Sequence, residues 1–442
     1  MNGATMVETN LETVRNPTNL FVEGCQMQME ILKEYEEVIE RQRELYKRYE
    51  LKAEINAEYA EQSAQNNEEG KLINNIEKNS CLNFDAVITE NRHYSKSNAI
   101  KIEQNQRKLA IKTEVSNAED VAKLIHNNAL KQVTIEVMEG VHLELSILLL
   151  SHKILPVSII VNVHNNASLS LLEWFASGTE RGASAMLPMQ QISVGKEAHA
   201  DISMLHNESE ASVLAGVSVV KAYENAKLKL ATAFVGNAMT KSALFANAFG
   251  KKSTLQVNEL AFGTGRQVFD TSTAIVNNVE ETTAEDRARC VLFDNAQCIG
   301  KGFAKVKKEA INAYSYVEHI GLQIGSNTKY VPIPDMSIDT RNVEFASHNA
   351  SSMPIDANAI FYMMSKGIGE EEAKMAFVEG FLSKYTSQIS SGRFKEIVAS
   401  ALINKLREGK TVYAPVTSTK GIWYDKETNS SAAAKMKTTG IV

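Results

Sequence analysis

The sequence predicts a mainly β fold: a parallel β-solenoid over residues 131–350, with helical regions before and after it. Three observations carry this. Short runs alternate apolar and polar residues, a unit of about 28 residues recurs, and helical spacing returns after Ser351.

The alternating runs include Thr134-Ile135-Glu136-Val137, Ser168-Leu169-Ser170-Leu171, Lys227-Leu228-Lys229-Leu230 and Thr254-Leu255-Gln256-Val257. Each has the period of two expected of a strand. Many follow a polar or glycine turn ending in Ala or Ser: Asn166-Ala167, Glu197-Ala198, Asn225-Ala226, Lys252-Ser253, Asn295-Ala296 and Glu309-Ala310. Successive spacings of 31, 28, 27, 43 and 14 imply a regular unit, one longer insertion and a half-unit at the end. Such a repeat, built from strands without intervening helices, predicts stacked coils with Leu169, Leu171, Leu228, Leu230, Leu255 and Val257 inside. An antiparallel sandwich or barrel uses the same strands. Asn-Gly and Asp-Gly pairs, which two-residue hairpins favour, are absent between these runs, and this tilts the reading to the solenoid.

The flanks read differently. Residues 1–20 look frayed, and Met27 to about Gln65 reads as one long helix without Gly or Pro. Its stripe of Ile31, Tyr35, Val38, Leu45 and Tyr49 fits a packed arm or a partner-binding coiled coil. Short strands at Ala86–Thr89 and Lys108–Thr113 precede a helix opened by a Ser116-x-x-Glu119 capping box, so residues 1–130 form a helical and mixed region. Helices at Ile355–Met364, Glu370–Tyr385 and Arg393–Leu406 predict a helical domain over 351–424, and 425–442 reads as a loose tail.

Composition bounds the function. A net charge of −6 gives no pull toward nucleic acid or anionic lipid. No run of about 18 apolar residues predicts a membrane span, and the first residues lack the pattern of a secretory signal. Four cysteines, at 25, 81, 290 and 298, make no disulfide framework. A reducing, cytoplasmic setting is expected. Gly263-Thr264-Gly265-Arg266 lacks the Lys-Ser/Thr of a phosphate loop and reads as a turn. No hydrolase signature stands out. An enzyme or binding module on a β-helix, such as a polysaccharide-active protein, remains the alternative class.

Two stretches carry a family resemblance. FDTSTAIVNN (269–278) is followed by NAQCIGKGFAKVKKEAINAYSYVEH (295–319), and FASHNASSMPIDANAIFYMMSKGIGEEEAKMAFVEGF (345–381) is the more specific part. The latter holds Ser347, His348, Ala350, Asp356, Phe361-Tyr362, Lys366-Gly367-Ile368, Glu372-Ala373 and Gly380-Phe381 in the order of the family's motif. The chain thereby resembles the SufB/SufD family of iron–sulfur cluster assembly proteins, most closely its SufD branch.

The resemblance implies a right-handed parallel β-helix acting as a non-catalytic scaffold. Its C-terminal helices would dock a SufC-type ABC ATPase, which alone hydrolyses ATP. Its β-helix would pair with a SufB-like subunit, or with a second copy of itself. No permanent cofactor is implied, only a transient cluster or iron near the junction. SufB members carry a cysteine in the penultimate coil and an acidic residue beside the motif histidine. Here His319 stands near the first position, and Ser347 and Asn349 flank His348, departures that favour SufD.

His348 is therefore the foremost candidate for holding iron, since imidazole is a good iron ligand. His319 precedes it by close to one repeat unit, so the two imidazoles are expected to share a surface. Glu318 alternates to the other face. Cys290 and Cys298 are weaker thiol candidates, since a lone cysteine is more often a small buried hydrophobe. Phe361, Tyr362, Gly380 and Phe381 mark the expected ATPase contact.

Overall fold

The computed structural model describes residues 53–59, 71–74, 76–77, 84–104, 109–115, 117–178, 184–325 and 327–408. In chain order, β1 (Ala53–Tyr59), β2 (Ala86–Thr89), β3 (His93–Ser95), β4 (Ile100–Gln104) and β5 (Leu109–Val115) precede helix α1 (Ala118–Asn128). β6 (Lys131–Val137) and β7 (His142–Ser151) then begin the repeat.

From there the chain climbs in coils, placing one strand in each of two sheets per coil. One sheet stacks β8 (Ile154–Val163), β10 (Ala185–Val194), β12 (Val213–Ala222), β14 (Met239–Ala248), β16 (Val268–Asn277), β18 (Gln297–Val306) and β20 (Lys329–Ile338). The other stacks β9 (Ser168–Ser177), β11 (His199–Asn207), β13 (Lys227–Phe234), β15 (Thr254–Gly263), β17 (Thr283–Phe293), β19 (Tyr314–Ile324) and β21 (Phe345–Pro354). All of these pairings are parallel, including β13 with β15 and β12 with β14, so the fold is a parallel β-solenoid and not a sandwich.

Leu169, Leu171, Leu228, Leu230, Leu255 and Val257 all face the lumen and are buried. Each such side chain withdrawn from water contributes about 1.5–3 kcal/mol. Phe175, His206 and Phe234 occupy one register column and stack at 4.3 and 5.2 Å between centroids.

The corners explain the repeat and correct its bookkeeping. Asn166, Glu197, Asn225 and Lys252 each adopt positive φ, turning the chain so that the next small residue tucks inside. The series continues through Glu281-Thr282 and Asn312-Ala313, both with positive φ at the first residue. The corners therefore recur evenly, without the insertion and half-unit inferred from spacing. Thr282 stands where the pattern sought Ala or Ser. Ala296 closes the opposite corner after Asp294, and Ala310 lies inside a longer turn.

Both outer faces are covered. Val121, Ala122 and Ile125 of α1 pack on the first sheet with Leu187, Val217 and Phe245, and β1 crosses the same face. Helices α2 (Ala357–Ser365), α3 (Glu370–Thr386) and α4 (Gly392–Glu408) follow the solenoid. Val378, Leu382, Tyr385, Phe394, Val398 and Leu402 cover Trp174, Leu205, Leu260 and Phe262 of the second sheet.

Two expectations change here. Ala53–Tyr59 is a strand paired antiparallel with β5, not part of a helix. Its strict apolar–polar alternation, with Ala53, Ile55, Ala57 and Tyr59 at every second place, outweighs helical propensity once a partner strand is present. The rest of the long helix, the frayed start and the tail from 425 lie outside the described residues. The cap of α1 is Asn117, whose side chain accepts from the Asp120 amide at 2.9 Å, and not Ser116.

The two ends of the solenoid differ. At the first, β3 and β4 pair antiparallel with β2 and β6 and close the coil. At the last, β20 and β21 end their sheets with no further strand beyond them among the described residues.

Candidate functional site at the open end of the solenoid

His348 lies in the final coil, on β21. In register it follows Leu171, Ile202, Leu230, Val257, Asp286 and Val317, a column that faces the lumen. With no coil above it among the described residues, this inward position is exposed, as are Asn349 and Ala350. The imidazole thus stands at the mouth of the solenoid over buried Val317.

His319 does not share that surface. It is fully buried, and its register partner in the last coil is Ala350, not His348. One full coil here is longer than the separation of the two histidines, because the turn after β20, at 339–344, is long. The two imidazoles therefore occupy adjacent inward columns, one inside and one at the rim.

His319 Nε2 pairs with Asp286 Oδ2 at 2.9 Å, both groups buried. Burial opposes a charge on the ring, but Asp286 and, behind it, Glu259 raise the imidazole above its ordinary value. Burial pushes the Glu259 carboxyl up to about 7, and Asp286 adds to the rise. Farther down the lumen burial lifts Glu173 to about 8, against two hydrogen bonds of 2.9 Å from Gln190 Nε2. A polar band thus runs inside an otherwise apolar core.

Sequence reasoning passed over Asp286, Glu259 and Glu173. The signal was present: each falls in the inward phase of its strand, Glu259 with Leu255 and Val257, Asp286 with Ala284 and Cys290. Glycine makes room for the band. A Cβ at Gly302 would lie 2.6 Å from His319 Nε2 and from Val317, and one at Gly321 would lie 2.0 Å from the Tyr330 ring.

Glu318 faces outward, as alternation requires. It pairs with Arg289 and accepts from the Tyr316 hydroxyl at 3.1 Å. Partial burial works against its charge, yet Arg289 holds the carboxyl below its usual range. It is a structural ion-pair member, removed from the mouth. Cys290 and Cys298 are both buried in the lumen, while Cys25 and Cys81 lie outside the described residues. Gly263 ends β15, and Thr264–Arg266 form the turn after it, with positive φ at Gly265, whose amide donates to Asp294 at 2.8 Å. Among the described residues, no three His, Cys, Asp or Glu side chains converge to hold a metal ion.

The C-terminal helices present a second feature. Phe361, Tyr362 and Met364 of α2 are exposed, Phe361 at 73% and Tyr362 at 62%. Phe381 is half-buried against the second sheet. Gly380 sits inside α3 with nothing within 4 Å of where its Cβ would be, so no contact within this chain requires a glycine there.

The family model described as "SUF system FeS cluster assembly, SufBD core domain" matches residues 151–381, more than half of the chain. The chain belongs to the SufBD family. Its match spans the coils from β8 to the mouth and continues through α2 into α3. Among curated relatives, the iron–sulfur cluster assembly protein SufD of Escherichia coli (strain K12) is 25% identical over 184 residues, 40% of this chain and 43% of the relative. SufD of Bacillus subtilis (strain 168) is 24% identical over 183 residues, 41% of this chain and 42% of the relative. A SufBD family protein of Staphylococcus saprophyticus is 23% identical over 226 residues, 50% of this chain and 48% of the relative. The chain thus matches somewhat under half the length of each. Among the described residues, no helix of this SufBD protein is long and apolar enough to cross a membrane.

Proposed function

We propose that this SufBD protein is a SufD-like, non-catalytic scaffold subunit of an iron–sulfur assembly complex, and that the open mouth of its solenoid is where it pairs with a SufB-like subunit. The observation that carries this reading is His348: a lumen-column residue left in solvent, with no further coil over it among the described residues. A partner coil stacked there would bury the column and bring its own ligands beside the imidazole. One ring nitrogen would bind iron or a nascent cluster as cargo, while a neighbouring acceptor held the other. His319, with its nitrogen engaged by Asp286, supports the wall behind the mouth and is not offered as a ligand.

The exposed Phe361–Tyr362 surface and the unpacked Gly380 support docking of a SufC-type ATPase on α2 and α3. Removing the helices altogether is a poor test, because it would uncover Leu260, Phe262 and the rest of the second sheet. Surface substitutions are cleaner.

His348→Ala should leave the thermal midpoint and the ATPase complex intact while lowering iron–sulfur content of the complex purified without oxygen. An undiminished cluster yield would remove His348 as a ligand, and a fallen midpoint would make it a structural residue. Phe361→Ala with Tyr362→Ala should abolish co-purification with the ATPase. The mass of the purified protein, with and without the ATPase, separates a self-paired dimer from a SufB-like pairing.

A further inference from the structure

We infer that Cys290 and Cys298 form a two-coordinate site for a thiophilic monovalent cation, the cuprous ion, beneath the mouth of the solenoid. Cys290 lies near the end of β17 and Cys298 near the start of β18, on either side of the corner at 294–296. Both thiols point into the lumen, each 2% exposed, and one coil above them their register partners Gly321 and Tyr330 meet, so the two cysteines lie beneath the same ring.

The site has a lid. Tyr330 of the last coil is the register partner of Cys298 and is 6% exposed. Its hydroxyl has no hydrogen-bond partner, and its ring lies against Gly321, the register partner of Cys290. The ring is held by missing side chains: a Cβ at Gly321 would meet it at 2.0 Å, and one at Gly300 would meet the hydroxyl at 3.2 Å. An unsatisfied buried phenol beside two buried thiols calls for a partner. Thiolates formed on metal binding would accept its O–H.

The donor count selects the ion. Borderline divalent ions such as zinc fill four positions with nitrogen and sulfur, and no third His, Cys, Asp or Glu completes such a set among the described residues. Soft thiolates select cuprous ion, which accepts two in line. The binding step balances without redox change: two S–H bonds break, two Cu–S bonds form, and two protons leave to solvent. The bound site carries one net negative charge, which the Tyr330 hydroxyl stabilises. This inference does not depend on the scaffold reading.

The test uses the full chain with Cys25→Ser and Cys81→Ser, titrated without oxygen with cuprous ion buffered by bathocuproine disulfonate. The readouts are copper retained per chain and the near-ultraviolet thiolate-to-copper absorption. One ion per chain is expected. Cys290→Ser or Cys298→Ser should weaken binding by about 100-fold, and Tyr330→Phe by about 10-fold with the absorption altered. Should a serine variant lose its thermal transition, Cys290→Ala and Cys298→Ala keep the small apolar volume and serve in its place. No uptake by the parent, or equal affinity in a folded cysteine variant, overturns the inference.

Discussion

Replacing Gly302 by alanine would set a methyl carbon 2.6 Å from the His319 ring and from Val317, with Asp286 at 3.0 Å. These neighbours are buried and in register, so none can retreat. We expect Gly302→Ala to cost about 1–3 kcal/mol in urea unfolding, as overpacked cores do. Glu173 gives a pH-dependent counterpart. Its carboxyl is raised by burial from 4.5 to about 8, so the native state binds the extra proton between those values. Stability from this group is complete below about pH 4.5 and is lost as pH rises through 8. Glu173→Gln, with the Gln190 amide turned over, should therefore match wild type near pH 5. It should exceed wild type by roughly 3–5 kcal/mol near pH 9, read from denaturant midpoints. A constant difference at both pH values would argue against a protonated Glu173. Alternation made the inward phase of such residues legible in the sequence. It could not place His319 against His348, because that required the register of the last coil, set by a turn whose length no local pattern encodes.

The corner turns behave as separable parts. Glu197 holds φ at 55° in a conformation that costs an ordinary residue about 1–2 kcal/mol and glycine much less. Glu197→Gly should raise stability by about 0.5–1 kcal/mol in equilibrium unfolding, after glycine's entropy is set against the relieved strain. No gain would mean that the corner is unstrained. Helix α4 is pinned at its other end by Lys405, buried among the Val235 and Phe262 carbonyls and Gln267 Oε1. Lys405→Ala removes all three of these buried bonds and should cost about 2–4 kcal/mol, with faster amide exchange confined to α4. The helices after Ser351 were legible from apolar spacing and the breaks at Gly367 and Gly369, and of these α3 and α4 pack an apolar face on the second sheet. The strand at Ala53–Tyr59 was not, because its partner β5 lies far along the chain. Composition alone could not show that Lys405 would be buried.

At the scale of the whole molecule, the described residues finish the solenoid everywhere except at its mouth. Antiparallel strands close the first coil, α1 and β1 cover one sheet, and α3 and α4 cover the other. Among the described residues the last coil keeps two unpaired strand edges and an exposed inner column, the kind of edge that proteins otherwise cover or charge. The repeat made stacked coils legible, but an array of equivalent coils carries no mark of which end is capped. If a partner's coil completes the stack, a large charge in that column must block it while leaving this chain folded. Ala350 suits the purpose, being exposed in the final coil directly above His319 in register. Ala350→Arg should change monomer stability by no more than about 0.5 kcal/mol, as surface substitutions do. Co-expressed with a SufB-like subunit, it should elute with the mass of an unpaired chain where wild type elutes as a pair. Because α2 lies away from that column in sequence and carries its own exposed aromatics, ATPase co-purification should persist. A variant that still pairs at wild-type mass would move the junction away from the mouth, and with it the placement of His348 beside a partner's ligands.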